Sequence, residues 1–143
     1  MFYFIALLVF AADLIVKYMI SAFLSPIGSI PVIKGIFNLT YVRNPGVAFG
    51  LFPGQRLILV LIGIAVCAAV IYFYAKGDKK DVLFISYLAI ILGGSLGNLF
   101  NRIFSGYVID YLDFRVFPVF NLADVAINLG VFLIILDLAV RRK

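Results

Sequence analysis

A chain of 143 residues with 65% hydrophobic and 13% charged side chains and a mean hydropathy of +1.18 is of single-domain size but excludes a soluble globule. The net charge of +5 calls for no nucleic-acid partner, because its densest clusters flank apolar stretches and anchor them beside anionic lipid. Membrane lipid is therefore the solvent to reason with. A spanning helix needs about 20 mostly apolar residues, because the roughly 30 Å hydrocarbon core offers backbone groups no water.

The first such stretch covers residues 2–24 and stops at Ser25-Pro26, where proline removes a helix donor. It exceeds the roughly 7–15 apolar residues of a cleaved signal peptide, and Asp13 and Lys17 interrupt it, so it reads as a retained span. Residues 28–50 follow, with strand-like alternation from Ile36 to Arg43 and glycines at 28, 35, 46 and 50 as turn points. They predict a small extracytoplasmic β hairpin or sheet, a surface that could hold a substrate peptide by main-chain hydrogen bonds or serve only as a connection. The second and third stretches, 57–75 and 82–100, carry no charge, and the fourth, 117–140, is apolar apart from Asn121, Asp124, Asn128 and Asp137.

Fold class follows: a membrane all-α protein of four transmembrane helices, with the β segment between the first and second. Loops are expected near 25–56, 76–81 and 101–116. Lys76, Lys79, Lys80, Arg141, Arg142 and Lys143 crowd into two short segments, whereas Lys34, Arg43, Arg56, Arg102 and Arg115 are spread over longer loops. The positive-inside rule then puts both termini in the cytoplasm.

Missing side chains exclude much chemistry. The chain has no histidine and no glutamate, so a Ser-His-Asp or Cys-His arrangement lacks its base and a histidine-containing zinc site lacks ligands. The lone Cys67 sits in the uncharged second span and reads as a packing residue. Aspartate is the only acid. Asp78 and Asp81 fall in a lysine-rich turn and read as solvated, and Asp137 precedes Arg141 by four residues, the spacing of a helical ion pair.

Asp13 and Asp124 are costlier, since an ionised group near the centre of a span costs roughly 2.5–3.5 kcal/mol on insertion scales and usually faces protein or water. Lys17, one turn beyond Asp13, offers self-pairing and so structural support, with catalysis the alternative. Asn121, Asp124 and Asn128 share one face of the fourth span, a polar stripe that requires polar neighbours or water. The third span carries a complementary row of Gly94, Asn98 and Arg102 beside a second row of Gly93, Gly97 and Asn101, small residues that permit close helix approach. Asp110, within Tyr107-Val108-Ile109-Asp110-Tyr111-Leu112-Asp113-Phe114, can approach Asp124 from the second outer loop, with Asp113 competing.

These motifs resemble lipoprotein signal peptidase, the signal peptidase II family of bacterial aspartyl peptidases, over nearly the whole chain. The resemblance rests on Asp13 with Lys17, on Arg43-Asn44-Pro45-Gly46-Val47-Ala48-Phe49, and on Gly93-Gly94-Ser95-Leu96-Gly97-Asn98-Leu99-Phe100-Asn101-Arg102. It continues through Gly106-Tyr107-Val108-Ile109-Asp110-Tyr111 and Phe120-Asn121-Leu122-Ala123-Asp124. It implies that Asp110 and Asp124 form the catalytic pair and demotes Asp113. Supporting or substrate-binding roles are implied for Asp13, Lys17, Asn44, Asn98, Arg102 and Asn121. Two departures, Asn101 where the family commonly has aspartate and the apolar Leu14 and Val16 between Asp13 and Lys17, touch the support of Arg102 and Asp13 rather than the pair.

The resemblance further implies one integral membrane peptidase domain over residues 1–143, in the bacterial cytoplasmic membrane with its site near the outer face. Its substrates would be diacylglyceryl-modified prolipoproteins, cut before the lipidated cysteine. No metal or organic cofactor is required, and a monomer is expected. A non-enzymatic four-helix scaffold, or a small transporter using Asp13 and Asp124, is the rival reading.

Overall fold

The computed structural model describes residues 1–46, 54–78 and 81–141. Val47, Ala48, Phe49, Gly50, Lys79, Lys80, Arg142 and Lys143, which belong to the motif that starts at Arg43, to the glycine turn points and to the clusters of positive charge, lie outside the described residues. In chain order the elements are α1 (Phe2–Leu24), β1 (Ser29–Ile33), β2 (Phe37–Asn44), α2 (Arg56–Lys76), α3 (Val82–Phe104), β3 (Val108–Asp113) and α4 (Leu122–Arg141). All four helices are long and apolar enough to cross a membrane, as the apolar stretches predict.

Two helix boundaries differ from expectation by more than one residue. α3 continues four residues past Phe100, keeping Asn101 and Arg102 on the helix. α4 begins at Leu122 rather than 117, because Pro118 disfavours helix at Phe117 and Phe120 is instead bridged to Leu112. The segment between α3 and α4 also contains a strand. β3 pairs antiparallel with β2, matching Val42 to Asp110 and Asn44 to Val108, so the sheet has the order β1-β2-β3 and draws on the segments that follow α1 and α3. Gly28, at φ 85°, accommodates the turn from α1 into β1.

α3 is the central helix: 61% of its span is buried, against 17% for each of the other three. Its glycines explain how the bundle closes around it. A Cβ on Gly93 would lie 2.6 Å from the Ala6 carbonyl oxygen and the Val9 side chain on α1, and one on Gly94 would lie 2.6 Å from the Ala123 carbonyl oxygen on α4. The second glycine row thus faces α1, and the Gly94, Asn98, Arg102 row faces α4. Small residues at these crossings let the backbones meet, the packing that drives helix association in lipid. Gly94→Ala is expected to push the first turn of α4 outward and to destabilise the bundle by roughly 1–3 kcal/mol, the usual cost of overpacking, read as a lowered unfolding temperature in detergent.

At the opposite end from the sheet, Asp81 is more than a solvated turn residue. Its carboxylate accepts the Phe84 amide and caps α3 and is forked by Arg141, and these bonds hold it below the usual carboxylate range. The Asp137–Arg141 pair forms as its spacing predicts, at 2.8 Å.

Candidate active site

The start of α4 organises the site. The first N–H groups of a helix have no partner within it, and in lipid they cannot turn to water. Here side chains take them all. The Asn121 amide donates to Asp124 Oδ2 at 3.2 Å, and the Asp124 amide donates back to Asn121 Oδ1 at 3.0 Å, which is a reciprocal capping box. Between them, the Leu122 amide donates to the Tyr111 hydroxyl at 3.1 Å, and the Ala123 amide to Asp13 Oδ1 at 3.0 Å.

Asn121 is therefore a cap rather than part of a helical stripe, and it is fully buried. Because its Oδ1 faces the Asp124 amide, its Nδ2 must point the other way. There it donates to Asp110 Oδ1 at 2.6 Å and, more weakly, to Asn98 Oδ1 at 3.3 Å. One asparagine thus links both carboxylates. Asp110 Oδ2 accepts Asn44 Nδ2 from β2 at 2.8 Å, across the strand pair that the register of β2 and β3 creates.

A second chain of bonds approaches Asp124 from α1 and α3. Lys17 Nζ donates to Asp13 Oδ2 at 2.7 Å and to Asn98 Oδ1 at 2.9 Å. That bond turns Asn98 Nδ2 toward Asp124 Oδ1, to which it donates at 2.7 Å. Self-pairing of Asp13 with Lys17 is thus correct but incomplete, since each partner also reaches another helix. Gly97 is needed beside them, because a Cβ there would collide with the Asp13 carboxylate.

Arg102 Nη2 lies 3.4 Å from the Gly46 carbonyl oxygen, while its Nε and the neighbouring Asn101 Oδ1 are buried without a hydrogen-bond partner among the described residues. Asp113 stays apart from the pair: it accepts the Thr40 hydroxyl and the Arg115 amide, a structural role. Tyr111 and Arg56 escaped the sequence reading. Arg56 donates to the Arg102 carbonyl at 2.8 Å and so caps the end of α3, a contact that nothing local in the sequence signals. For Tyr111 the sequence offers one signal, its place directly after Asp110.

Burial pushes the Asp110 carboxyl up to about 6, a rise that the Asn44 and Asn121 amides restrain. The same cause pushes the Tyr111 phenol up to about 12, so it stays neutral and able to accept the Leu122 amide. Both aspartates line a cavity of about 710 Å3 with Asn44, Asn98, Arg102 and Asn121 at its polar end. Val125, Leu129 and Phe132 of α4 and Phe117 and Val119 before it form an apolar wall.

Helices of membrane-crossing length and two carboxylates linked through one asparagine in a cavity with an apolar wall define a multi-pass membrane protein with an acidic site. The family model for signal peptidase (SPase) II matches residues 5–140, and the chain belongs to that peptidase family. A lipoprotein signal peptidase of Halothermothrix orenii is 43% identical over 143 residues, covering 100% of this chain and 98% of the relative. One from Moorella thermoacetica is 48% identical over 137 residues, covering 93% and 89%. A solved bacterial membrane enzyme superposes with a TM-score of 0.90 at 32% identity, covering 98% of this chain and 88% of that one.

Proposed function

We propose that the whole chain, residues 1–143, is a single intramembrane aspartyl endopeptidase domain that removes the signal peptide from diacylglyceryl-modified prolipoproteins by cutting before the lipidated cysteine. The observation that carries this reading is the linkage of Asp110 and Asp124 through Asn121 inside one cavity, in a chain of the signal peptidase II family.

Two close carboxylates resist double ionisation and share one proton. The ionised member takes a proton from water as the water oxygen bonds to the scissile carbonyl carbon, while the protonated member hydrogen-bonds the carbonyl oxygen. Collapse of the tetrahedral intermediate breaks the C–N bond, and the departing nitrogen takes a proton from the pair. The proposed chemistry uses no metal or cofactor, and added chelator is expected to leave turnover unchanged. Asn44 and Arg102 orient the substrate at the polar end of the cavity. Asp13, Lys17 and Asn98 hold the α4 end of the pair in place, and the apolar wall receives the signal segment from the bilayer.

The enzyme works as a monomer in the bacterial cytoplasmic membrane, with both termini cytoplasmic and the sheet end, with its cavity, near the outer face. The test is cleavage of a purified lipid-modified prolipoprotein by the wild-type enzyme in detergent. Cleavage before the modified cysteine supports the reading, and its absence removes it.

The pH dependence has a definite sign. Asn44 donates to the ionised form of Asp110 and so opposes the rise caused by burial. Asn44→Ala is expected to raise the carboxyl further, so that the pair keeps its shared proton to higher pH. The descending limb of kcat/KM against pH then moves to higher pH, even where the maximum falls through weaker substrate orientation. A limb that stays in place or moves to lower pH would contradict this.

A further inference from the structure

The face of α4 that lines the cavity beyond Asp124 is apolar at Val125, Leu129 and Phe132 and polar only at Asn128. Asn128 is exposed, and its Nδ2 donates to the Asp124 main-chain oxygen at 2.8 Å. A carbonyl can only accept, so the amide orientation is fixed by chemistry. That leaves Asn128 Oδ1 as an acceptor with no protein partner among the described residues. On a face otherwise built for lipid or an apolar ligand, an aliphatic side chain would cost less to insert.

We propose that Asn128 Oδ1 accepts a main-chain N–H of the bound substrate, just on the amino-terminal side of the scissile bond. The inference rests on the peptidase reading and names how that site holds its substrate. A transmembrane signal segment must open its helix around the bond to be cut, and each opened N–H loses its partner where no water replaces it. An acceptor one turn from Asp124 offsets that loss. Four residues along α4 span about 6 Å at 1.5 Å per residue. That equals roughly two residues of extended chain, so the bonded N–H belongs to about the second or third residue before the cut. Because every residue but proline offers this donor, the contact adds affinity without selecting a side chain.

The experiment compares wild type, Asn128→Leu and Asn128→Thr on a synthetic diacylglyceryl-modified peptide and on versions in which an ester replaces one of the three peptide bonds before the cut. Asn128→Leu is expected to fold, to raise KM about tenfold and to keep kcat within about twofold. Asn128→Thr should stay near wild type, since a hydroxyl can donate to the Asp124 carbonyl and still accept. One ester position should raise the wild-type KM by a similar factor and add nothing in Asn128→Leu.

A wild-type KM in Asn128→Leu overturns the proposal, as does an ester penalty that persists undiminished in that variant or a threonine variant no better than leucine. Failure of the wild type to cleave any version would instead remove the peptidase reading on which the proposal stands.

Discussion

Purified Asp124→Asn and Asp110→Asn are expected to remain folded and to cleave lipid-modified prolipoprotein roughly 10²–10⁴-fold more slowly than wild type, the range that positioned acid–base groups contribute. The amide is isosteric with the carboxylate but can neither take a proton from water nor share one. Folding survives because the cap itself is Asn121, whose Oδ1 still accepts the amide at position 124. Each substitution leaves one donor facing an NH2 group: Asn98 or the Asn121 amide at position 124, and Asn44 or Asn121 at position 110. That mismatch costs on the order of 1–3 kcal/mol, visible as a modest drop in unfolding temperature. Near-normal turnover by either variant would remove that aspartate from the mechanism. Loss of folding in both, without a separable loss of turnover, would favour the scaffold.

Asp13→Ala is expected to have the largest effect on stability. Lys17 is 1% exposed and Asp13 fully buried, so removing the acid leaves a cation with Asn98 Oδ1 as its one remaining acceptor among the described residues and strips the Ala123 amide of its partner. Breaking a buried pair on one side costs about 3–5 kcal/mol, to be read as a large fall in unfolding temperature at fixed detergent and scan rate. Asp13→Leu combined with Lys17→Met removes both charges and should recover much of that loss. Activity should not recover with it, because Asn98 loses the donor that orients it toward Asp124. A double variant as unstable as the single one would show that the cost lies in the α4 cap rather than in the uncompensated charge.

Particular residues separate what could be read along the chain from what could not. The four spans were legible because transfer into lipid is a property summed over about 20 residues, and α1 matches its apolar stretch at both ends. Asp13 and Asp124 stood out because a charge in a span is expensive whatever surrounds it, and the order of motifs pointed to Asp110. The Asp13–Lys17 and Asp137–Arg141 pairs were legible because helical spacing alone brings them together.

Contacts between distant segments were decided only by the tertiary structure. β3 is a strand because β2 is its neighbour, not because of its own alternation. The fourth apolar stretch is continuous through Val119, yet helix begins only at Leu122, where Asn121 and Asp124 cap each other and Tyr111 and Asp13 take the remaining amides. Two glycine rows on one helix look alike in sequence, but one is pressed against α1 and the other against α4. The physical reason is the same in each case. Hydropathy and charge cost belong to a residue and its solvent, whereas a cap, a strand partner or a helix crossing is a bond between groups whose meeting depends on how the whole bundle packs.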